Sequence, residues 1–223
     1  MIKIRGLTKK YKSNIIFSNV SLNLTERCVH FLMGKNGSGK TTFVKCLLDL
    51  ENYLGEITFD GNTLREISNT VFPIFDDVPL YNELSGIKNI RLMVDNNKTW
   101  RTEDICDFDL LSSHKLNQKV KNYSLGERKK LLIICAMLNK PKYLVLDEVS
   151  NGLDIEALDI LKKHLIDLKQ AVTIVATGHH FEFYGSIVDN LLLVKNGAIE
   201  IIDKNDKGDD TLYETYKRHF SCN

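Results

Sequence analysis

Long hydrophobic runs are missing from this sequence. Nowhere do its 223 residues approach the ~18 consecutive apolar residues of a membrane-spanning helix. An excess of one charge is missing too. Lys and Arg number 30 against 29 for Asp and Glu, a net charge of +1. There is no overall basic field of the kind that grips a nucleic-acid backbone, so no nucleic-acid partner is expected. Paired cysteines are also absent. The five cysteines, Cys28, Cys46, Cys106, Cys135 and Cys222, are scattered, odd in number and never in CxxC. That speaks against a disulfide framework and a thiolate metal site. Most of them sit in apolar runs, which reads as reduced core thiols in a cytosolic setting. The opening Met1-Ile2-Lys3-Ile4-Arg5 alternates apolar and basic residues and has no apolar h-region, unlike a secretory leader. No internal repeat is visible.

What is present is a phosphate-binding loop. Gly34-Lys35-Asn36-Gly37-Ser38-Gly39-Lys40-Thr41-Thr42 fits G-x-x-x-x-G-K-[ST]. Its context fits as well. Cys28-Val29-His30-Phe31-Leu32-Met33 reads as a short buried strand entering the loop, and Phe43-Val44-Lys45-Cys46-Leu47-Leu48 as the helix leaving it. The glycines allow tight backbone turns and close approach to a phosphate. Successive N–H groups then form an anion nest with a helix N-terminus behind it. Lys40 is placed for the β- and γ-phosphates, and the Thr41 hydroxyl for Mg²⁺.

Along the chain, residues 1 to 24 read as β structure. Tyr11 lies between the first strands, where an exposed aromatic could stack on a purine or simply pack. Residues 55 to 62 read as a strand closed by Asp60-Gly61-Asn62, and 71 to 75 as a short strand broken by Asp76-Asp77-Val78-Pro79. Residues 87 to 94 have helical spacing. A polar loop follows at 95 to 98, and 102 to 122 reads as interrupted helix. Ser124 with Glu127 three residues on is a capping box, opening a helix apolar nearly all round and stopped by Pro141. A buried strand ends in Asp147-Glu148. Residues 155 to 168 form an amphipathic helix, and another buried strand runs from 172 to 177 before Gly178-His179-His180. Strands at 187 to 194 and 198 to 202 flank an Asn196-Gly197 turn, and the charged tail ends in a short helix.

Strands alternating with helices predict an α/β fold with a largely parallel central sheet. We expect a single domain over 1–223. Residues 1–75 and 141–202 make the core and an N-terminal antiparallel β subdomain, 76–140 a helical subdomain, and 203–223 a tail. Ligands bind beyond the carboxyl ends of such strands. Three of those ends carry chemistry: Met33 into the phosphate loop, Leu146 into Asp147-Glu148, and Thr177 into Gly178-His179. Asp147 suits a Mg²⁺-side carboxylate. Glu148 suits a general base on an attacking water, and His179 a contact to that water or the γ-phosphate.

Tyr123-Ser124-Leu125-Gly126-Glu127-Arg128-Lys129-Lys130-Leu131 resembles the signature motif of ABC ATPases, usually LSGGQ followed by a basic helix. Ser150-Asn151-Gly152-Leu153-Asp154 is similar to that family's D-loop. His179 matches its switch histidine, ten residues before Asp189, and Tyr11 its adenine-stacking aromatic. The resemblance spans residues 1 to 202 and covers several motifs in order. It departs twice. Leu125 replaces a glycine, and Asp76 (or Asp77) stands where the family carries the Q-loop glutamine. Aspartate could still reach Mg²⁺ but adds negative charge and cannot donate as an amide does.

The resemblance implies an ATP- and Mg²⁺-dependent ATPase that pairs head to tail with a second nucleotide-binding domain, a copy of itself or a paralogue. Lys40, Thr41 and Asp147 of one partner hold ATP–Mg²⁺, while Ser124, Leu125, Gly126 and Glu127 of the other close over the γ-phosphate. Asp154 communicates across the pair. The expected role is motor subunit of a transporter, with export as the direction, acting peripherally on the cytoplasmic face through a separate membrane permease. Two alternatives are a soluble ATPase of this type in DNA repair or translation, and an ATP-gated module with little hydrolysis.

Overall fold

Alternation of apolar side chains in the central strands decides the architecture. The computed structural model describes residues 1–77, 79–95, 98–203 and 210–220, without the side chains of Cys106 and Asp203. Cys222, Val78 and parts of the loop expected at 95–98 and of the tail lie outside the described residues. Strands β1 (Ile2–Tyr11), β2 (Asn14–Leu24) and β4 (Leu54–Phe59) form an antiparallel sheet in the order β2-β1-β4. Strands β3 (Val29–Met33), β5 (Val71–Ile74), β6 (Tyr143–Asp147), β7 (Thr173–Thr177), β8 (Asn190–Lys195) and β9 (Ala198–Asp203) form the main sheet, ordered β5-β6-β7-β3-β8-β9. Every pairing in it is parallel except the hairpin of β8 with β9. The Asn196-Gly197 turn takes positive φ at both residues, 51° and 77°, as a two-residue hairpin requires.

The main sheet is covered on both faces. In β3, Val29, Phe31 and Met33 point to one core and Leu32 to the other; β6 divides Leu144 and Leu146 from Tyr143 and Val145 in the same way. Each fully buried side chain of this size contributes roughly 1.5–3 kcal/mol. On the second face, helix α1 (Lys40–Leu47) fills the space between the two sheets with Phe43, Val44, Cys46 and Leu47. On the first face lie α2 (Gly86–Met93), α3 (Thr102–Cys106), α4 (Ser113–Asn117), α5 (Leu125–Asn139), α6 (Ile155–Leu168), α7 (Phe181–Gly185) and α8 (Leu212–Phe220). Among the described residues between β5 and β6, only an isolated bridge between Ser85 and Lys119 interrupts the helices and turns.

In α5, Leu131 through Leu138 are all buried, as the apolar run anticipated. The interrupted helix at 102–122 resolves into α3, α4 and a single turn at Val120–Asn122. The expectation of a strand from 187 to 194 is corrected at its start. Residues 181–185 form α7, and Ile187 and Val188 both donate from their amides to the Tyr184 carbonyl, at 3.0 Å. They close that helix and leave β8 to begin at Asn190. Tyr184 is buried and stacks on Phe31 at 4.5 Å, which holds α7 on the sheet. Among the described residues, no helix is long and apolar enough to cross a membrane.

Candidate active site

Strand order brings the three chemical strand ends together. β6, β7 and β3 are neighbours, with Asp147 beside Thr177 and Thr177 beside Leu32. β5 lies next to β6 and delivers Asp76 to the same edge. Phosphate loop, carboxylates and histidine therefore share one end of the sheet although up to 145 residues separate Gly34 from His179.

The loop 34–42 leaves β3 and ends on α1. Gly39 occupies the N-cap with φ 108° and no side-chain cap, so the first amides of α1 have no partner from a capping side chain. A Cβ on Gly39 would stand 2.7 Å from Ile16 Cγ2 and 3.0 Å from Phe17 Cζ. The β1–β2 hairpin thus packs directly against the loop, and only glycine fits both the space and the φ. The Ser38 hydroxyl is buried without a hydrogen-bond partner, an orphaned polar atom in a loop expected to take phosphate. Lys40 is buried; its ammonium donates to the carbonyls of Gly34 at 2.9 Å and Lys35 at 3.2 Å. Burial lowers its pKa, opposed by the nearby charges of Glu148 and Asp147.

Asp147 is buried, and its Oδ1 accepts from the Thr177 hydroxyl at 2.6 Å. The neighbouring Thr41 hydroxyl favours its charged form as well. Its pKa is nonetheless raised, first by burial and then by the negative charge of Glu148 and Asp76. Hard oxygen donors, crowded like charge and a neighbouring hydroxyl are what a divalent cation would relieve, so these residues fit Mg²⁺. Among the described residues there is no cluster of three or more His, Cys, Asp or Glu able to hold a metal alone. Phosphate oxygens and water would supply the remaining ligands.

Glu148 takes φ 56°, a left-handed conformation uncommon outside glycine. Its amide donates to the Thr177 carbonyl and hydroxyl, both at 3.2 Å. Asn151 Nδ2 donates to Glu148 Oε2 at 2.6 Å, and Glu148 Oε1 lies 3.5 Å from His179 Nε2. The carboxylate is thereby aimed, with one oxygen held and one facing the histidine.

The signature stretch opens α5. Ser124 Oγ accepts from the Glu127 amide at 3.2 Å, and the Ser124 amide donates to Glu127 Oε2 at 2.7 Å, the capping box expected from the spacing. Burial works against the charge of Glu127, but Lys115 at 2.9 Å and the Ser124 amide outweigh it and lower its pKa. Leu125 is exposed. A Cβ on Gly126 would stand 2.6 Å from the Gly152 carbonyl, so α5 and the D-loop stretch touch backbone to backbone. Asp154 caps α6 by accepting from the Ala157 amide at 2.8 Å and pairs with Lys130 at 2.8 Å.

Three placements were not foreseen. Asp76 does not stand free: its Oδ1 accepts from Lys129 Nζ at 2.6 Å, and Lys129 is completely buried. The relevant signal, a lysine on an apolar helix, was hidden in the basic run 128–130. Thr177 and Asn151, which hold the two carboxylates, lay inside quoted motifs without being singled out. Tyr11 stands half exposed at the end of β1. Its ring lies 4.4 Å under the Lys9 ammonium, which pairs with Glu51 at 2.9 Å beyond the far end of α1. A separate cavity of about 1020 Å³ opens elsewhere, lined by Arg27, Trp100, His164 and Asp167 among others; none of the strand-end residues borders it.

A family model described as ABC transporter matches residues 17–151. The lantibiotic transport ATP-binding protein SrtF of Streptococcus pyogenes is 30% identical over 224 residues, covering 97% of this chain and 96% of that protein. The uncharacterized ABC transporter ATP-binding protein YybJ of Bacillus subtilis (strain 168) is 31% identical over 211 residues, 92% of this chain and 97% of that one. A solved ATP binding subunit of an ABC transporter shares the fold, with a TM-score of 0.86 over 98% of each chain at 22% identity. The chain belongs to the ABC transporter family, among its ATP-binding subunits.

Proposed function

We propose that this chain is the ATP-hydrolysing motor subunit of a transporter and that the strand-end site performs the hydrolysis. The observation that carries this reading is the row of β5, β6, β7 and β3 ends, which gathers a buried Lys40, a loop with an orphaned hydroxyl, and carboxylates short of positive charge. ATP would bring its phosphates to this edge, and Mg²⁺, which Thr41 and Asp147 would hold, would supply positive charge there. The amides of 34–42 and the N-terminus of α1 bind the β-phosphate, and Lys40 turns from loop carbonyls toward the γ-phosphate. Thr41 and Asp147 hold the cation side. Glu148 accepts the proton of the attacking water, with Asn151 fixing one oxygen and His179 beside the other. Tyr11 offers its exposed ring to the base.

Ser124, Leu125, Gly126 and Glu127 close over the γ-phosphate of a second nucleotide-binding domain, and Asp154 contacts that partner. Residues 76–140 move as a helical subdomain, and a separate membrane permease receives the motion. Such a subunit sits peripherally on the cytoplasmic face. The named transport of a lantibiotic by one relative supports a peptide-like cargo, and export is the direction proposed for it.

Specific ATP turnover measured against protein concentration tests the reading. It should rise with concentration and level off as pairs saturate. A specific rate independent of dilution would overturn head-to-tail pairing.

A further inference from the structure

Lys129 is a lysine with 0% exposure on α5, five residues after Ser124. Its ammonium donates to three acceptors: Asp76 Oδ1 at 2.6 Å, the Asn151 carbonyl at 2.7 Å and the Glu148 carbonyl at 3.2 Å. A buried ammonium is costly unless paired and fully hydrogen-bonded. Here the pairing falls to Asp76, because the other two acceptors are neutral. The two carbonyls belong to the two ends of the turn 148–151, which the Asn151 amide also closes onto Glu148 O at 3.1 Å. Glu148 holds φ 56° within that turn, and Asn151 in turn holds its carboxylate at 2.6 Å. Such conformations persist where surrounding groups over-determine them.

We propose that Lys129 is a positioning residue: it ties the signature helix to the turn that aims Glu148, and Asp76 is its counter-ion. The negative charge that Asp76 adds at this edge is thereby committed to Lys129. The segment after β5, the start of α5 and the catalytic turn become one mechanical unit, so displacement of any one moves Glu148. This deepens the hydrolytic reading and rests on it for the role of Glu148.

The test uses Asp76→Asn, Lys129→Gln and the double variant in the full chain. Three quantities are read: amide exchange at 148–151, affinity for a fluorescent ATP analogue with Mg²⁺, and kcat. Lys129→Gln should speed exchange of the turn at least about tenfold and lower kcat about 30-fold, with nucleotide affinity changed less than about threefold. Asp76→Asn, which strands the buried ammonium, should lower kcat about tenfold with the same split. The double variant should be no worse than Lys129→Gln alone, because the two residues act as a pair. Unchanged exchange in Lys129→Gln, or a double-variant loss equal to the product of the single ones, overturns the proposal. Should Lys129→Gln fail to fold, Asp76→Asn decides alone: its carboxylate is 58% exposed, and an unchanged kcat there overturns the pairing. A wild-type chain without turnover would sink the hydrolytic reading, while the exchange of the turn still decides for or against Lys129.

Discussion

The two ends of strand β6 treat carboxylate charge in opposite ways. At the amino end of β6, Asp60 accepts from the Tyr143 hydroxyl at 2.6 Å and pairs with Lys142 at 2.6 Å. Burial opposes its charge, yet Lys142 and its other partners outweigh burial and hold its pKa well below the ordinary value. At the carboxyl end of the same strand, Asp147 is more deeply buried and its pKa is raised. Lys40 there is lowered by burial. One end is a satisfied network that stabilises the fold. The other is an unbalanced one, which only a ligand with phosphate and a cation would complete. Free energy withheld at that edge is what makes ligand binding, rather than folding, the event that settles its charges.

Substitutions can break this contrast. Lys40→Ala should have the largest effect, weakening ATP binding about 100-fold or more in a direct titration, since the charged hydrogen bonds to phosphate go with it. Melting should change little, because Lys40 serves no apolar core. Asp60→Asn comes next. Asparagine tolerates the left-handed φ of 52° at this position, so the charge is removed with little backbone strain. Stability should fall by about 2 kcal/mol at pH 7. Because the Asp60 pKa is depressed on folding, that contribution is present above its ordinary 3.8 and lost as pH falls through the folded value. The difference between wild type and variant therefore narrows in acid.

Asp147→Asn should act in the reverse sense. A carboxyl raised above 3.8 on folding contributes stability at low pH and loses it as pH rises through the folded value. Removing the charge should raise the stability of the nucleotide-free chain at pH 7, with no gain in acid, while turnover falls to background. Urea denaturation at several pH values reads both aspartates. The smallest effect belongs to Glu83→Gln. Glu83 is 68% exposed, 3.1 Å from Lys119 and 3.2 Å from Lys121, and its loss should move the melting temperature by less than about 1 °C.

Much of this architecture was legible in the sequence because its signals are local. The phosphate loop, the apolar strand runs, the Ser124–Glu127 box and the Asn196-Gly197 turn each declare themselves within a few residues. The adjacency of the strand ends was readable as well, since parallel α/β sheets place their ligands there. What stayed hidden depends on distant partners. Lys129 meets Asp76 across 53 residues, and nothing in Arg128-Lys129-Lys130 marks the middle residue as buried. Helix α7 escaped because five residues carry no periodicity; its position rests on Tyr184 stacking against Phe31. Tyr11 illustrates the converse. Its place in the order of motifs was clear, but the long-range link beside it, from Lys9 to Glu51 across 42 residues, was not.

Glu148 is proposed as the base with which the carboxyl edge of the sheet hydrolyses ATP. Phosphate release and ATP binding, measured on the same samples of wild type and Glu148→Gln with Mg²⁺, test it most directly. Binding should be comparable in both, and release at least about 100-fold slower in the variant. Release by Glu148→Gln at the wild-type rate would contradict it.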